Sequence, residues 1–297
     1  MKQKSVLISE SIPLLAWVLL GLLSLTWGSS YILIKKGLIA FSPQQLAGLR
    51  ISLSFVAFVP VFLLNFKKVD WSKWKALVTV GLAGSFLPAF LYAKAQTELS
   101  SSVTGVLSAL VPLFTLLLGI TFFTLPSSKG KIIGVLIGFI GASFLVFTED
   151  SSKGSENLIY GFLVVLATFL YGLTNNVLKA KLQDVSSVAI SSTSFMIIGI
   201  PALIILFSSD FTTVLRTHEH GWASFGYICI LSLFGTVMAT LFYFKLIRIT
   251  NPIFGSMVSY LVPVVALFWG FVDGETIFFL QIIGMILILF GIYISRK

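Results

Sequence analysis

Charge is scarce in this chain. Of 297 residues, charged side chains make up only 10%, against about 25% in ordinary globular chains, and acids number 11. No Asp or Glu falls in the middle of an apolar run; Glu98 and Glu275 lie closest, near run ends. A proton-coupled exporter of cations usually buries a carboxylate, so that mechanism is disfavoured. Cysteine occurs once, as Cys229 inside an apolar block, which excludes an internal disulfide and suits simple packing. The two histidines flank Glu219 in a polar loop, and HEH has no zinc spacing on one helix face. No GxSxG, phosphate-binding Gly-rich loop or buried acid pair is present. No catalytic residue, metal or cofactor is therefore expected.

What is abundant is apolar side chain. The hydrophobic fraction is 57% and the mean hydropathy +1.02. Apolar blocks of about 18 residues or more cross a bilayer core at about 1.5 Å rise per residue. The alternation of a membrane β-barrel is missing. Ten spans are expected, near 13–36, 44–66, 74–96, 101–123, 130–148, 157–178, 186–208, 221–243, 252–272 and 276–295. The linker 208–221 is the longest and reads as an exposed loop. Lys2 and Lys4 precede the first run, but Glu10 interrupts them and the run exceeds the roughly 7–15 residues of a signal-peptide core, so it reads as a retained span.

The net charge of +9 is spread in ones and twos between spans rather than in a stripe, which argues for topology signals and against nucleic acid. With ten spans and an internal N-terminus, 14 Lys and Arg fall inside and 6 outside, which places both termini in the cytoplasm. The expected location is the plasma membrane, the inner one in a bacterium.

The chain also repeats itself. TWGSSYILIKKGL near residue 27 echoes LYGLTNNVLKAKL near 171, and GSFLPAFLYAK (84–94) echoes GTVMATLFYFK (235–245). SALVPLFTLLLG (108–119) echoes SYLVPVVALFWG (259–270), and GVLIGFIGASFL (134–145) echoes GMILILFGIYIS (284–295). Two units follow, 1–150 and 151–297, of five spans each. An odd span number makes the second enter the membrane inverted, a recurrent basis for alternating access.

These ordered marks, with WGSS and Lys35 in the first span, SPQQLAGLR with Pro43 and Arg50 entering the second, LVP in the fourth and ninth, and Gly274–Glu275 before the last, resemble the drug/metabolite transporter superfamily in its ten-span EamA-type members. The resemblance runs from about Trp17 to Ile294. It implies two five-helix bundles around a central cavity that carries amino acids, nucleobases, vitamins or similar metabolites. One departure is visible: Thr124 stands where alignment puts the acid of a first GE-like pair.

Candidate substrate contacts follow from the repeat. Trp27, Tyr31 and Lys35 share one helix stripe, and Tyr171, Asn175 and Lys179 form its partner. Aromatics and a cation on facing helices can stack a planar moiety and attract a carboxylate or phosphate; the alternative is interfacial anchoring with snorkelling lysines. Asn175 and Asn176 need partners, on another helix or in a cavity. Pro112 and Pro263 are equivalent hinge candidates, each freeing a carbonyl four residues back, at Ser108 and Ser259. Thr104, Ser256 and Tyr260 extend that polar patch, while Tyr92 with Gln96, and Tyr243, complete the lining. The alternative is a kink satisfied by its own serine. Gly134, Gly138, Gly141, Gly284 and Gly291 read as close packing between the fifth and tenth spans rather than as a dimer contact. A monomer in contact with lipid and a small-molecule substrate is expected, with a homodimer as the alternative. The competing functional classes are an intramembrane enzyme acting on lipid, which would need clustered acids or His at one membrane face, and a scaffold, which would not need a duplicated polar interior.

Overall fold

The computed structural model describes residues 13–123, 128–148, 155–250 and 258–295. Among them ten long helical rods follow one another, and no strand occurs. They are α1 (Leu14–Gly37), α2 (Pro43–Asn65), α3 (Trp74–Gly81, Leu82–Phe86 and Leu87–Ala95), α4 (Ser101–Leu107, Ser108–Leu110 and Val111–Phe122) and α5 (Lys129–Thr148). The second set is α6 (Ser155–Lys181), α7 (Ser187–Phe207), α8 (Gly221–Ser232, Leu233–Met238 and Ala239–Ile249), α9 (Val258–Val272) and α10 (Phe279–Ser295). Seven rods are long and apolar enough to cross a membrane, and Val258–Val272 and Phe279–Ile294 are shorter apolar helices. The chain is a multi-pass membrane protein. Its rods end within a few residues of the expected spans, except that α8 runs on to Ile249. The 208–221 linker is not all loop; it holds a short helix, Phe211–Thr217.

Local chemistry sets several of these starts. Ser42 accepts from the amide of Gln45 while the Gln45 side chain accepts from the Ser42 amide, a capping box that opens α2. Ser186 accepts from the Ala189 amide at the start of α7, and Ser100 from the Val103 amide at the start of α4. Side chains such as Phe122, Phe207, Phe271 and Phe279 point outward and are mostly exposed, as lipid contacts require.

The rods pair across the two halves of the chain. The main partners are α5 with α10, α2 with α7, α4 with α9, α1 with α9 and α8, α6 with α4 and α3, α2 with α8, and α3 with α7. Exchanging α1–α5 for α6–α10 leaves this set of pairs unchanged. Glycines explain the close approaches. A Cβ on Gly28 would lie 2.4 Å from Val265 Cβ on α9, and one on Gly172 would lie 2.8 Å from the Thr115 amide nitrogen on α4. The aromatic–Gly pairs at 27–28 and 171–172 therefore mark equivalent helix contacts. A Cβ on Gly141 would meet Gly284 O at 2.6 Å, and one on Gly291 would meet Gly134 O at 2.5 Å. These glycines serve the α5–α10 contact within one chain, as the spacing implied.

Two further irregularities match. Leu82–Phe86 in α3 and Leu233–Met238 in α8 are π-helical. The first precedes Pro88, which has no amide proton to donate, and the second holds Gly235. Such bulges turn carbonyls and side chains away from the regular ladder and are frequent at functional sites.

Candidate functional site: a tyrosine–arginine cluster and an ion-pair network

α1 carries its stripe into the centre of the bundle. The Trp27 ring lies 5.2 Å from that of Tyr243 on α8, and its Nε1 donates to Gly235 O at 3.2 Å. That carbonyl belongs to the π-helical segment of α8. One turn further, the Tyr31 ring is 5.7 Å from Tyr92 on α3, and Tyr92 stacks at 6.1 Å on Tyr171 of α6. Ser108 on α4 reaches the Tyr31 hydroxyl. The Tyr31 and Tyr92 hydroxyls are neighbours, yet that of Tyr92 meets no group in hydrogen-bonding geometry. Gln96 is 7% exposed at the end of α3, one turn from Tyr92, and neither its amide nitrogen nor its oxygen has a protein partner.

Arg50 joins this cluster from α2. It stands eight residues after the Ser42 cap, about 12 Å along the helix. Its Nε donates to Thr236 Oγ1 at 3.2 Å, again in the π-helical segment of α8. Its guanidinium is close enough to act electrostatically on Tyr31, Tyr92 and Tyr171. Among the described residues no carboxylate pairs with it.

The partner stripe behaves differently beyond Tyr171. Asn175 donates to Thr115 Oγ1 at 3.2 Å, and Asn176 donates to the carbonyls of Thr115 and Gly172, both at 2.9 Å. The amides are thus satisfied by α4 and by their own helix. Lys179 is exposed at the end of α6. The proline patch is divided too. Thr104 is fully buried and donates to Ser100 O at 2.9 Å, while Ser108 Oγ donates to Gly105 O at 2.6 Å. The carbonyl that Pro112 leaves free at Ser108 accepts from the Val111 amide through the 3-10 turn Ser108–Leu110. Pro112 and Ser259 are half-buried, Pro263 is buried, and Tyr260 packs at the edge of the main core. Ser256 lies outside the described residues.

Lys35 does not snorkel freely. Its Nζ lies 2.7 Å from Glu275 Oε1 and 2.8 Å from Asp273 Oδ2, in the loop between α9 and α10, and Lys36 pairs with the other Asp273 oxygen. Gly274, at φ +79°, reverses the chain between the two acids. Glu275 also accepts from the Ser101 amide at 2.9 Å, the Ser101 hydroxyl at 2.8 Å, the Ser102 amide at 3.0 Å and the Ser102 hydroxyl. Its carboxylate sits on the free amides at the start of α4, where the helix dipole favours a negative charge. Burial pushes the Glu275 carboxyl upward, but the hydrogen bonds from Lys35 and Ser102 outweigh it and hold the group below the usual carboxylate range. Asp273 is lowered in the same way, burial again opposing the bonds from Lys35 and Lys36. The network ties α1, α4 and the α9–α10 loop together. Beside it an open cleft is lined by Lys35, Leu38, Phe41, Ser42 and Gln96.

Arg50, Thr236 and the Ser101–Ser102 amides are site residues that spacing did not single out. Arg50 had a signal, since a lone guanidinium two turns inside an apolar run needs a reason. Counting it with the flanking charges hid it. Chemically, the assembly offers a guanidinium that no described acid pairs, a wall of aromatic faces, a carboxamide without partners among the described residues, and an ion-pair network at the end of α1.

The EamA-like transporter family matches the chain twice, over residues 15–147 and 158–296. A protein of Archaeoglobus fulgidus named "Uncharacterized transporter" is 25% identical, covering 94% of this chain and 97% of its own. The "Probable amino-acid metabolite efflux pump" of Escherichia coli is 28% identical over 94% of this chain and 93% of its own. A solved crystal structure superposes with a TM-score of 0.59 at 17% identity, covering 94% of this chain and 96% of that one, and so shares the fold.

Proposed function

Because the chain belongs to the EamA-like transporter family, we propose that it is a secondary transporter moving a small polar metabolite, such as an amino acid or nucleobase-like compound, by alternating access. Residues 1–150 and 151–297 are then inverted five-helix repeats that rock about the cluster. The main helix pairs that cross between the halves form a set that is unchanged on exchanging the halves, which supports this reading. The observation that carries it is the cluster of Tyr31, Tyr92, Tyr171 and Arg50 with the ion-pair network of Lys35, Asp273 and Glu275 at the end of α1. A solute site with one closed end is what an alternating-access carrier requires. The 14-to-6 bias of basic residues supports cytoplasmic termini and a plasma-membrane location, which puts the Lys35 end outside. The name of the Escherichia coli relative supports amino-acid export as the direction to test first.

The test is flux. Proteoliposomes loaded with a labelled mixture of L-amino acids and nucleobases should release at least one of them faster than empty liposomes. Absence of any carrier-dependent flux, with hydrolysis of a lipid in its place, would transfer the protein to the enzyme class.

A further inference from the structure

Arg50 poses a problem of charge. A guanidinium this far along a membrane helix is costly unless something negative answers it. Among the described residues no acid pairs with it, and both acids of the ion-pair network are committed: Glu275 to Lys35 and the α4 amides, and Asp273 to Lys35 and Lys36. Arg50 itself spends only Nε on a neighbour, the neutral Thr236 hydroxyl. That bond fixes the plane of the group and leaves both Nη atoms unbonded among the described residues. A planar fork of this kind matches a carboxylate through two parallel bonds.

A second observation points the same way. Gln96 is almost wholly buried, yet among the described residues its carboxamide has no partner, which is costly for a buried polar group. Burial of this kind makes sense when a ligand completes the bonding. Tyr92 stands one turn from Gln96, and Arg50 acts electrostatically on Tyr31, Tyr92 and Tyr171, whose ring faces accept an apolar or cationic moiety.

We propose that Arg50 is the binding site for the carboxylate of the transported solute, with the tyrosine faces and Gln96 receiving the remainder, so that the solute is a monocarboxylate of the amino-acid type. This rests on the transporter reading above and narrows it. The count of charges sets the class. Arg50, which no described acid pairs, neutralises one carboxylate; a phosphate monoester dianion would be left with excess charge, because Lys35 is held by two acids. An ammonium on the same solute finds Gln96 Oε1 and the tyrosine rings.

The test uses the full-length protein purified in detergent and compares each of the twenty L-α-amino acids with its α-amide, by thermal stabilisation and by competition for flux. At least one acid should bind, with its amide about 10-fold weaker or worse. Arg50→Gln should erase the difference between acid and amide, and Arg50→Lys should restore part of it. Phenyl phosphate should bind no better than benzoate. The acid–amide comparison in the wild type needs no variant, so a misfolded Arg50 variant does not spare the proposal. Equal binding of acid and amide, no binding of any acid, or an Arg50→Gln protein that keeps the preference would each overturn it. Carrier-dependent flux of neutral amides at the rate of the acids would sink the carboxylate site and leave the transporter standing. Absence of all flux would sink the transporter reading itself.

Discussion

Lys35 and Lys179 occupy equivalent places in the two halves, each eight residues after an aromatic–Gly pair, and their fates differ. Lys35 is gripped by Glu275 and Asp273, and through Glu275 joined to the start of α4. Lys179 is exposed. The same split separates Arg50, which faces the tyrosines, from its counterpart Ser194, which is buried and donates to Leu77 O at 3.2 Å. By contrast, Gly28 and Gly172 make matched contacts, on α9 and α4. Duplication has kept the steric framework and let the charges diverge. The physical reason is that backbone approach depends on the size of one residue, whereas an ion pair needs two residues on different elements to be present together. With Thr124 in place of an acid, a network like that around Glu275 has no carboxylate at the corresponding point of the first repeat.

The comparison can be broken most forcefully at the glycines. Gly28→Val and Gly172→Val should each destabilise the protein by about 3 kcal/mol, since the added carbons meet Val265 in one case and the Thr115 and Phe114 backbone in the other. Thermal melting in detergent checks this, and a large loss at only one of the two sites would end the claim of a matched framework. Next comes the closure. Glu275→Gln removes charge-assisted bonds that contribute about 2 kcal/mol to the shut state, an increase of roughly 30-fold in the open population. Thiol labelling of Ser108→Cys in a Cys229→Ala background should accelerate accordingly. Unchanged labelling would show that the network is not a closure.

A smaller effect is expected from pH. Glu275 and Asp273 are both lowered, so their contribution to the shut state is full above the ordinary carboxylate pKa and is lost as pH falls through the depressed values. Labelling, divided at each pH by that of an exposed control cysteine to remove the thiolate fraction, should be flat from pH 8 to 5 and rise only below about pH 4. A rise near pH 6 would assign the closure to other groups. Smaller still is Pro112→Ala. The Ser108 carbonyl already has the Val111 amide, so flux should fall by about 2-fold at most, and a larger loss would restore Pro112 as a hinge. Smallest is Lys179→Gln, expected within about 0.5 kcal/mol of wild type in stability.

The order and approximate bounds of the helical rods were legible because hydropathy over about 20 residues is a local property of the chain. The glycines of α5 and α10 were legible for a related reason: their spacing along one helix already defines a flat face. Within the site, Trp27, Tyr31, Tyr92, Tyr171 and Tyr243 could be chosen from the repeat, and the structure brings them into ring contact. Asn175 was chosen by the same logic but bonds to Thr115 instead, because a helix stripe fixes a direction only to within the width of a neighbouring helix. The π-helical segments were not legible at all. They shift the register of α3 and α8 by a fraction of a turn and thereby place Gly235 O and Thr236 against Trp27 and Arg50.

What the amino-acid sequence determined by itself was the class: a membrane chain of duplicated apolar helices, poor in acid, with aromatics and small residues at repeated spacings. What only the tertiary structure decided was which charges are spent and which remain. Lys35 and Glu275 are 240 residues apart, and so are the partners Trp269 and Ser29. No local pattern encodes such pairings, because they depend on how ten rods cross. Once the crossing is set, Glu275 is held at α4, Lys35 is neutralised, and Arg50 is left among the tyrosines as a cation that no described acid pairs.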